Sequence, residues 1–149
     1  YRVRLKLSRE GKVEIDHFPL SSDRDEGISR VCISDIPVES GNSMLFHKTT
    51  CRQIYEDRLS RRPDCDEVIL LNQRGEVTEF GIGNLVAILQ GEKVTPPVNC
   101  GLLPGVFREN LLAAGEIREA LLKVDDLRRA EGIYLINSVR GWVRVSLVD

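Results

Sequence analysis

The chain has 149 residues, of which 42% are hydrophobic and 30% are charged, and its formal net charge is −2. This length and composition predict one folded domain with a sizeable core rather than a disordered segment. The small net charge gives no electrostatic reason to expect nucleic acid or a membrane surface as a partner. No apolar run approaches transmembrane length. Four scattered cysteines, without the spacing of metal ligands, predict no metal site and reduced thiols in a cytoplasm: Cys32, Cys51, Cys65 and Cys100.

Residues 1–45 are predicted to form a β-hairpin followed by short strands. Apolar residues alternate on both sides of a turn at Gly11, which predicts a half-buried hairpin: Val3, Leu5, Leu7, Val13 and Ile15. A polar loop from Pro19 to Glu26 and a strand from Ile28 to Ile33 follow. Because the chain starts at Tyr1 inside a strand, we expect it to be a fragment of a longer chain.

Residues 46–149 alternate between strands and short helices. The helices are predicted at 51–59, capped by Thr50, at 106–114, closed by Gly115, and at 126–130, capped by Asp125. The extended segments are predicted at 67–72, 77–80, 84–89, 94–95, 117–124, 133–136 and 142–147. Strands dominate and helices are inserted between them, so the class is α+β, with a mixed β-sheet.

Lys48 is the first residue with candidate chemistry. It stands directly before the Thr-Thr pair that opens the first predicted helix. An ammonium beside a helix N-terminus is disfavoured, because that end carries partial positive charge. The arrangement favours the neutral amine, which is the form that condenses with a carbonyl. The alternative is an ordinary solvated lysine.

Three motifs follow one another along the chain. They are His47-Lys-Thr-Thr-x-Arg52, then Gly75-Glu-Val-Thr-Glu79 with Asn84-Leu85 after four further residues, then Gly101-Leu-Leu-Pro-Gly-Val-Phe-Arg108. In this order and spacing they resemble the fold-type IV pyridoxal-phosphate enzymes. That family includes branched-chain and D-amino-acid aminotransferases and 4-amino-4-deoxychorismate lyase. The resemblance covers residues 46 to about 145.

Details of three segments resemble the lyase branch in particular: Lys48-Thr-Thr-x-Arg52, Cys100-Gly-Leu-Leu-Pro-Gly105 and Asn137-Ser-Val-Arg-Gly-Trp142. The whole chain is similar to the lyase-like part fused behind para-aminobenzoate synthase component I in some bacteria. The resemblance implies a single cofactor-bearing domain over residues 1–149. It would be the larger, C-terminal, barrel-like domain of the fold-type IV architecture.

The resemblance also implies a function. The chain would bind pyridoxal 5′-phosphate and convert 4-amino-4-deoxychorismate to 4-aminobenzoate and pyruvate, as a step of folate biosynthesis. It would be a cytoplasmic homodimer that works with para-aminobenzoate synthase components. Two alternatives stay open: an amino-acid aminotransferase of the same fold type, and a non-catalytic domain that docks onto a synthase partner.

Five candidate site residues follow from matching positions in the family. Lys48 would hold the cofactor as a Schiff base and move protons, and Glu79 would face the pyridine nitrogen. The amides of Val106 and Phe107, at a helix start, would seat the phosphate, with the hydroxyl of Ser138 on the same group. The alternatives are a strand-end glutamate, a plain loop-to-helix turn and a serine in a β-bend.

The remaining candidates have weaker arguments for a role. We interpret Asn84 as holding local backbone. Three arginines could meet substrate carboxylates, although a solvated or structural role is favoured for each: Arg52, Arg108 and Arg140. His47 and Trp142 are better explained by packing. The family has a further N-terminal domain with an arginine for the phosphate, and Cys51 stands where lyases often have Asn.

Overall fold

The computed structural model describes residues 1–19 and 29–148. Within these ranges the strands are β1 Arg2–Leu7, β2 Val13–Phe18, β3 Arg30–Ile33, β4 Glu67–Leu71, β5 Val77–Phe80, β6 Gly83–Leu89, β7 Glu92–Thr95, β8 Arg118–Glu119, β9 Gly132–Asn137 and β10 Gly141–Leu147. The helices are α1 Gln53–Ser60, α2 Val106–Ala113 and α3 Val124–Arg129, and short 3₁₀ turns span Ser43–Phe46 and Val98–Cys100. Most of the predicted 19–26 loop lies outside the described residues.

Six strands close into a barrel. Their order is β5-β4-β3-β10-β9-β6, and β5 pairs again with β6 to complete the ring. Strands β7 and β8 extend the sheet beyond β6. The pairings are mixed, since β3 runs parallel to β4 and β10 whereas the other barrel pairs are antiparallel. The predicted α+β class with a mixed, barrel-like sheet is confirmed.

Strand β4 shows how the sequence produces the layers of the core. Its residues are almost continuously apolar, as expected for a strand covered on both faces. Ile69 belongs to the main buried cluster of the sheet, whereas its neighbours Val68 and Leu70 pack under α1. Alternate side chains of a strand point to opposite faces, so a single apolar strand joins two cores.

The hairpin β1–β2 forms as predicted, but its predicted half-burial is wrong. It is a separate two-stranded sheet. Its apolar side chains are between 51% and 67% exposed: Val3, Leu5, Leu7, Val13 and Ile15. Alternation reports that one face of a strand is apolar, but it cannot report whether another element covers that face.

Helices α1 and α3 begin at residues other than those predicted. Arg52, not Thr50, occupies the N-cap of α1, because the hydroxyl of Thr49 accepts the N–H of Cys51 in a local turn. Lys48 is thus further from the helix N-terminus than the sequence suggested. At α3 the N-cap is Lys123, and the Asp126 carboxylate accepts the Lys123 N–H.

The prediction of reduced, scattered cysteines is wrong for two of them. Cys32, in β3, is disulfide-bonded to Cys65, which lies two residues before β4, and their Cα atoms are 6.0 Å apart. The parallel pairing of β3 with β4 brings these distant positions together. The carboxylate of Asp64 lies 3.7 Å from each sulfur. Cys32, Asp64 and Cys65 therefore form a cluster that their positions in the sequence do not reveal. Cys51 and Cys100 remain free thiols.

Candidate active site

The tight hairpin between β5 and β6 places two of the motif residues opposite each other. Glu79 pairs with Asn84, and Phe80 with Gly83, across a turn of two residues. Both polar side chains are buried, Glu79 with 4% of its surface exposed. At Gly83 an added Cβ would lie 2.7 Å from the Ile136 oxygen, so only glycine lets β6 approach β9 this closely.

The carboxylate of Glu79 is hydrogen-bonded on both oxygens. The Tyr55 hydroxyl donates to Oε1 at 3.0 Å, and the Leu103 N–H donates to Oε2 at 3.2 Å. Burial nevertheless raises the pKa of Glu79 to about 8, while these two bonds and the charges of Lys48 and Arg52 act in the opposite direction. Within the described residues, Glu79 has no ion-pair partner at contact distance. A cationic group placed against it would therefore favour its charged form.

Asn84 joins this carboxylate to the loop before α2. Its Nδ2 donates to the Leu103 oxygen at 2.8 Å, and more weakly to Glu79 Oε2 at 3.4 Å. A Cβ on Gly105 would lie 2.3 Å from Asn84 Oδ1, so the loop has room only for glycine there. The interpretation of Asn84 as a holder of backbone agrees with these contacts.

Helix α2 starts directly after Gly105, which is its N-cap. Among the described residues no side chain caps this end. The N–H groups of the first turn, including those of Val106 and Phe107, are the donors that an α-helix leaves without intrahelical partners. A helix start of this kind, entered through a glycine, suits an anionic group.

Ser138 lies in the turn between β9 and β10 and is exposed. The neighbouring Asn137 connects this turn to the β5–β6 turn, because its Nδ2 donates to the Ile82 oxygen at 3.1 Å. Since β6 also pairs with β9 at Asn84 and Ile136, both turns occupy the same end of the barrel. The structure therefore brings Ser138 to the end that carries Glu79.

Lys48 reaches this end from the loop before α1. Its side chain is exposed, and its charge acts on Glu79, lowering the pKa of that carboxyl. The same segment is attached to the site by Arg52, whose Nη2 donates to the Gly81 oxygen at 2.6 Å. Lys48 thus belongs to a segment that is attached to the end of the barrel where Glu79 lies.

Two of the other candidates, Arg108 and Trp142, have structural contacts. Arg108 is structural: it is buried and donates to Glu109, Glu119 and the Pro96 oxygen. Trp142 packs edge-on against Tyr134 with ring centroids 5.5 Å apart, which agrees with a packing role.

Two residues near the site were not identified from the sequence. Tyr55 has the spacing of an apolar position of α1, but a buried tyrosine hydroxyl also needs a hydrogen-bond partner, and here that partner is Glu79. Glu67 is a buried carboxylate at the start of β4, and burial raises its pKa while the Val68 and Gly81 N–H groups act to lower it. No local sequence signal marks Glu67, because its burial depends on the turn at Gly81.

Comparison with known proteins assigns the family. The family model described as amino-transferase class IV matches residues 2–148. The chain belongs to the class IV aminotransferase family. Enzymes of this family use pyridoxal phosphate.

Individual relatives carry names from both branches of the family. A Schizosaccharomyces pombe protein, provisionally named an aminodeoxychorismate lyase, is 32% identical over 146 residues, covering 93% of this chain and 63% of that protein. A Thermotoga maritima protein, provisionally named a branched-chain-amino-acid aminotransferase, is 32% identical over 94 residues, covering 58% of this chain and 34% of that protein. The crystal structure of a provisionally named amino-acid aminotransferase from Mesorhizobium loti is 37% identical with a TM-score of 0.87, covering 98% of this chain and 72% of that one.

The chain spans 63% of the length of the S. pombe relative. The residues that the structure describes fit the family's cofactor. Among them, a buried carboxylate has no contacting cation, a helix start behind a glycine has no side-chain cap, and the charge of a lysine acts on that carboxylate. No helix among the described residues is long and apolar enough to cross a membrane.

Proposed function

We propose that this chain is the cofactor-bearing domain of a pyridoxal-phosphate lyase that converts 4-amino-4-deoxychorismate to 4-aminobenzoate and pyruvate. The observation that carries the proposal is the buried Glu79 at one end of the barrel, together with the charge of Lys48 that acts on its carboxyl. A carboxylate at 4% exposure whose pKa is raised to about 8 is suited to pair with a protonated ring nitrogen. A fully solvated glutamate would have no such preference.

Each residue has a distinct task in this proposal. Lys48 Nζ is the point of covalent attachment for the cofactor, and Glu79 accepts a hydrogen bond from its ring nitrogen. The Val106 and Phe107 amides, together with the Ser138 hydroxyl, hold the phosphate. When bound, pyridoxal phosphate supplies an electron sink for the bond that breaks at the substrate carbon.

Proton transfer is the chemical task of Lys48. With the substrate bound, Lys48 Nζ would take the proton from the ring carbon that bears the substrate nitrogen. Glu79 stays anionic during this step and so keeps the ring nitrogen protonated. Cleavage of the C–O bond to the enolpyruvyl group would release the enolate of pyruvate, which takes up the proton that Lys48 removed. The remaining ring is aromatic, which makes the reaction favourable.

An aminotransferase is the second candidate, and two relatives favour it. The M. loti structure and the T. maritima protein both carry aminotransferase names, the former at 37% identity. The lyase is preferred because the S. pombe relative matches over 146 residues, and because of the lyase-like segments that begin at Lys48 and Asn137. Lys48 and Glu79 serve either reaction, so they do not discriminate.

The first experiment tests the attachment point. The complete protein is incubated with pyridoxal phosphate, reduced with borohydride and digested, and the labelled peptide is identified by mass spectrometry. We expect the label on Lys48 and its loss in Lys48→Ala. The matched control is Lys93→Ala, since Lys93 lies over the Trp142 ring, 5.2 Å from its centroid, in another part of the sheet. Unchanged labelling at another lysine in Lys48→Ala would contradict the assignment.

The second experiment separates the two reactions. The complete protein is supplied with chorismate, an amine donor and an amination component. A lyase forms 4-aminobenzoate and pyruvate in a manner that depends on Lys48, and the cofactor stays in its aldehyde form. If a simple amino acid instead converts the cofactor to pyridoxamine phosphate and no aminobenzoate appears, the aminotransferase is the correct candidate.

We also propose that the complete site includes residues outside this sequence. The S. pombe relative is longer than the part matched here, and the exposed hairpin leaves an apolar face for a further element. The 149-residue chain alone should therefore bind pyridoxal phosphate weakly. Its assembly as a homodimer, its cytoplasmic location and its cooperation with para-aminobenzoate synthase components belong to the same proposal.

A further inference from the structure

Tyr55 connects the helix after Lys48 to the buried carboxylate. It lies in the first turn of α1, and its ring packs with Ile54 and Leu59 against the cluster under the helix. Its hydroxyl is 3.0 Å from Glu79 Oε1. The Arg52 guanidinium lies over the same ring, 5.0 Å from its centroid. Packing and stacking therefore fix the direction in which the hydroxyl points.

A tyrosine in this position can only donate to the carboxylate. The pKa of the Tyr55 hydroxyl is raised, first by burial and then by the negative charge of Glu79. Tyr55 therefore remains protonated at every pH at which the protein is expected to work, and it offers its proton to Oε1 throughout. A donor of this kind stabilises the anionic carboxylate against the cost of burial.

Few other groups can stabilise the anionic form of Glu79. Lys48, from the preceding loop, and Arg52, at the N-cap of α1, contribute positive charge, and Leu103 contributes its N–H from the loop before α2. Asn84, from β6, reaches Oε2 only at 3.4 Å. Under the proposed function the Lys48 amine is committed to the cofactor. Tyr55 is then the one side-chain donor at hydrogen-bond distance from Oε1 among the described residues.

We infer that Tyr55 is a positioning residue of the active site: its hydroxyl aims the Glu79 carboxylate and favours its anionic form, so that Glu79 can receive the protonated ring nitrogen of pyridoxal phosphate. The inference rests on the proposed function. It adds a role for a residue on α1 that lies outside the three sequence motifs. Because Tyr55 acts through Glu79, its effect should appear in the ionisation of that carboxyl.

The test measures Glu79 directly, in the complete protein without cofactor. Glutamate labelled with ¹³C at the carboxyl carbon is incorporated, and the Glu79 signal is assigned by its loss in Glu79→Gln. We expect Tyr55→Phe, which removes only the hydroxyl, to raise the Glu79 titration midpoint by about one to two pH units. The matched control is Tyr134→Phe, since Tyr134 packs against Trp142 in β9; it should leave the midpoint unchanged.

A second measurement uses the affinity for pyridoxal phosphate across pH. Tyr55→Phe should bind more weakly at neutral pH, by about ten-fold or more, because each unit added to the Glu79 midpoint lowers the anionic fraction about ten-fold. It should recover towards wild-type affinity at alkaline pH, where base restores the Glu79 anion. An unmoved midpoint in Tyr55→Phe, or an equal shift in Tyr134→Phe, would overturn the inference. So would a loss of affinity that alkaline pH does not restore. The titration contains no cofactor, so its outcome is independent of whether Lys48 carries the label.

Discussion

Replacing Glu79 by glutamine should change how the stability of the cofactor-free protein depends on pH. Burial raises the pKa of Glu79 from its ordinary value of 4.5 to about 8 in the folded state. A carboxyl with a raised folded pKa makes its full contribution to stability below 4.5 and loses it as the pH rises through 8. The glutamine variant has no charge to bury, so this loss should be absent.

The size of the effect follows from the two pKa values. A rise from 4.5 to about 8 corresponds to about 5 kcal/mol between strongly acidic and strongly alkaline conditions. At pH 7 about 3 kcal/mol of this stabilisation should already be lost. The carboxyl of the unfolded chain is deprotonated at this pH, whereas most folded molecules still carry the proton. The swap of a carboxylate for an amide also perturbs the bonds from Tyr55 and Leu103, but that cost does not vary with pH.

The measurement is urea unfolding of wild type and Glu79→Gln at several pH values from acidic to alkaline. The difference in unfolding free energy should shift in favour of the glutamine variant as the pH rises. Glu76→Gln is the control of opposite sign, because hydrogen bonds from Arg74 and Asn72 lower the pKa of Glu76 to about 2. Its stabilising contribution is present above 4.5 and lost as the pH falls towards 2. A Glu79→Gln difference that is constant across pH would refute the reasoning.

Two further predictions concern packing and the cross-link. Gly105→Ala should destabilise the fold by about 1–3 kcal/mol, because its Cβ would lie 2.3 Å from Asn84 Oδ1. Urea unfolding should show a smaller cost for the same substitution in an Asn84→Ala background. Equal costs in both backgrounds would contradict the clash. Cys32→Ser should lower the unfolding free energy of oxidised protein by about 4 kcal/mol, since the bond to Cys65 closes a loop with a sequence separation of 33. The reduced wild type should match that variant, and an oxidised protein insensitive to reductant would oppose the prediction.

Local periodicity was sufficient to predict most strands. Residues 77–80 and 84–89 were predicted as strands, and β5 and β6 lie within one residue of those bounds. Apolar alternation and turn glycines are short-range signals, and they act on the same few residues that form the strand. The same holds for α2, whose start at Val106 and closing Gly115, with a φ of 67°, agree with the predicted helix.

Local signals were misleading at the starts of α1 and α3, where a neighbouring residue makes a different local hydrogen bond. Thr50 is a good N-cap by type, but Thr49 already accepts the Cys51 N–H, so the helix starts later. Asp125 was predicted to cap α3, but the carboxylate of Asp126 takes the Lys123 N–H instead. Hydrogen bonds of similar energy decide these cases, and residue type alone does not rank them.

The candidate site was predicted from sequence motifs, and the role of each of its residues remains a prediction. The amino-acid sequence alone indicated Lys48, Glu79, the loop ending at Gly105 and Ser138, because these positions match family motifs. It could not indicate Tyr55. The hydroxyl of that residue meets a partner 24 positions away, and this meeting depends on how α1 packs on the barrel.

By itself, the sequence determined the kinds of groups available and the short-range structure that carries them: an amine at Lys48, a carboxylate at the end of β5, and a glycine before α2. The tertiary structure alone decided their chemistry. Closure of β5 onto β6 buries Glu79, and that burial raises its pKa. The parallel pairing of β3 with β4 likewise turns two distant cysteines into a disulfide. Solvation and contact depend on the environment of a group in three dimensions, and residues far apart in the chain supply that environment.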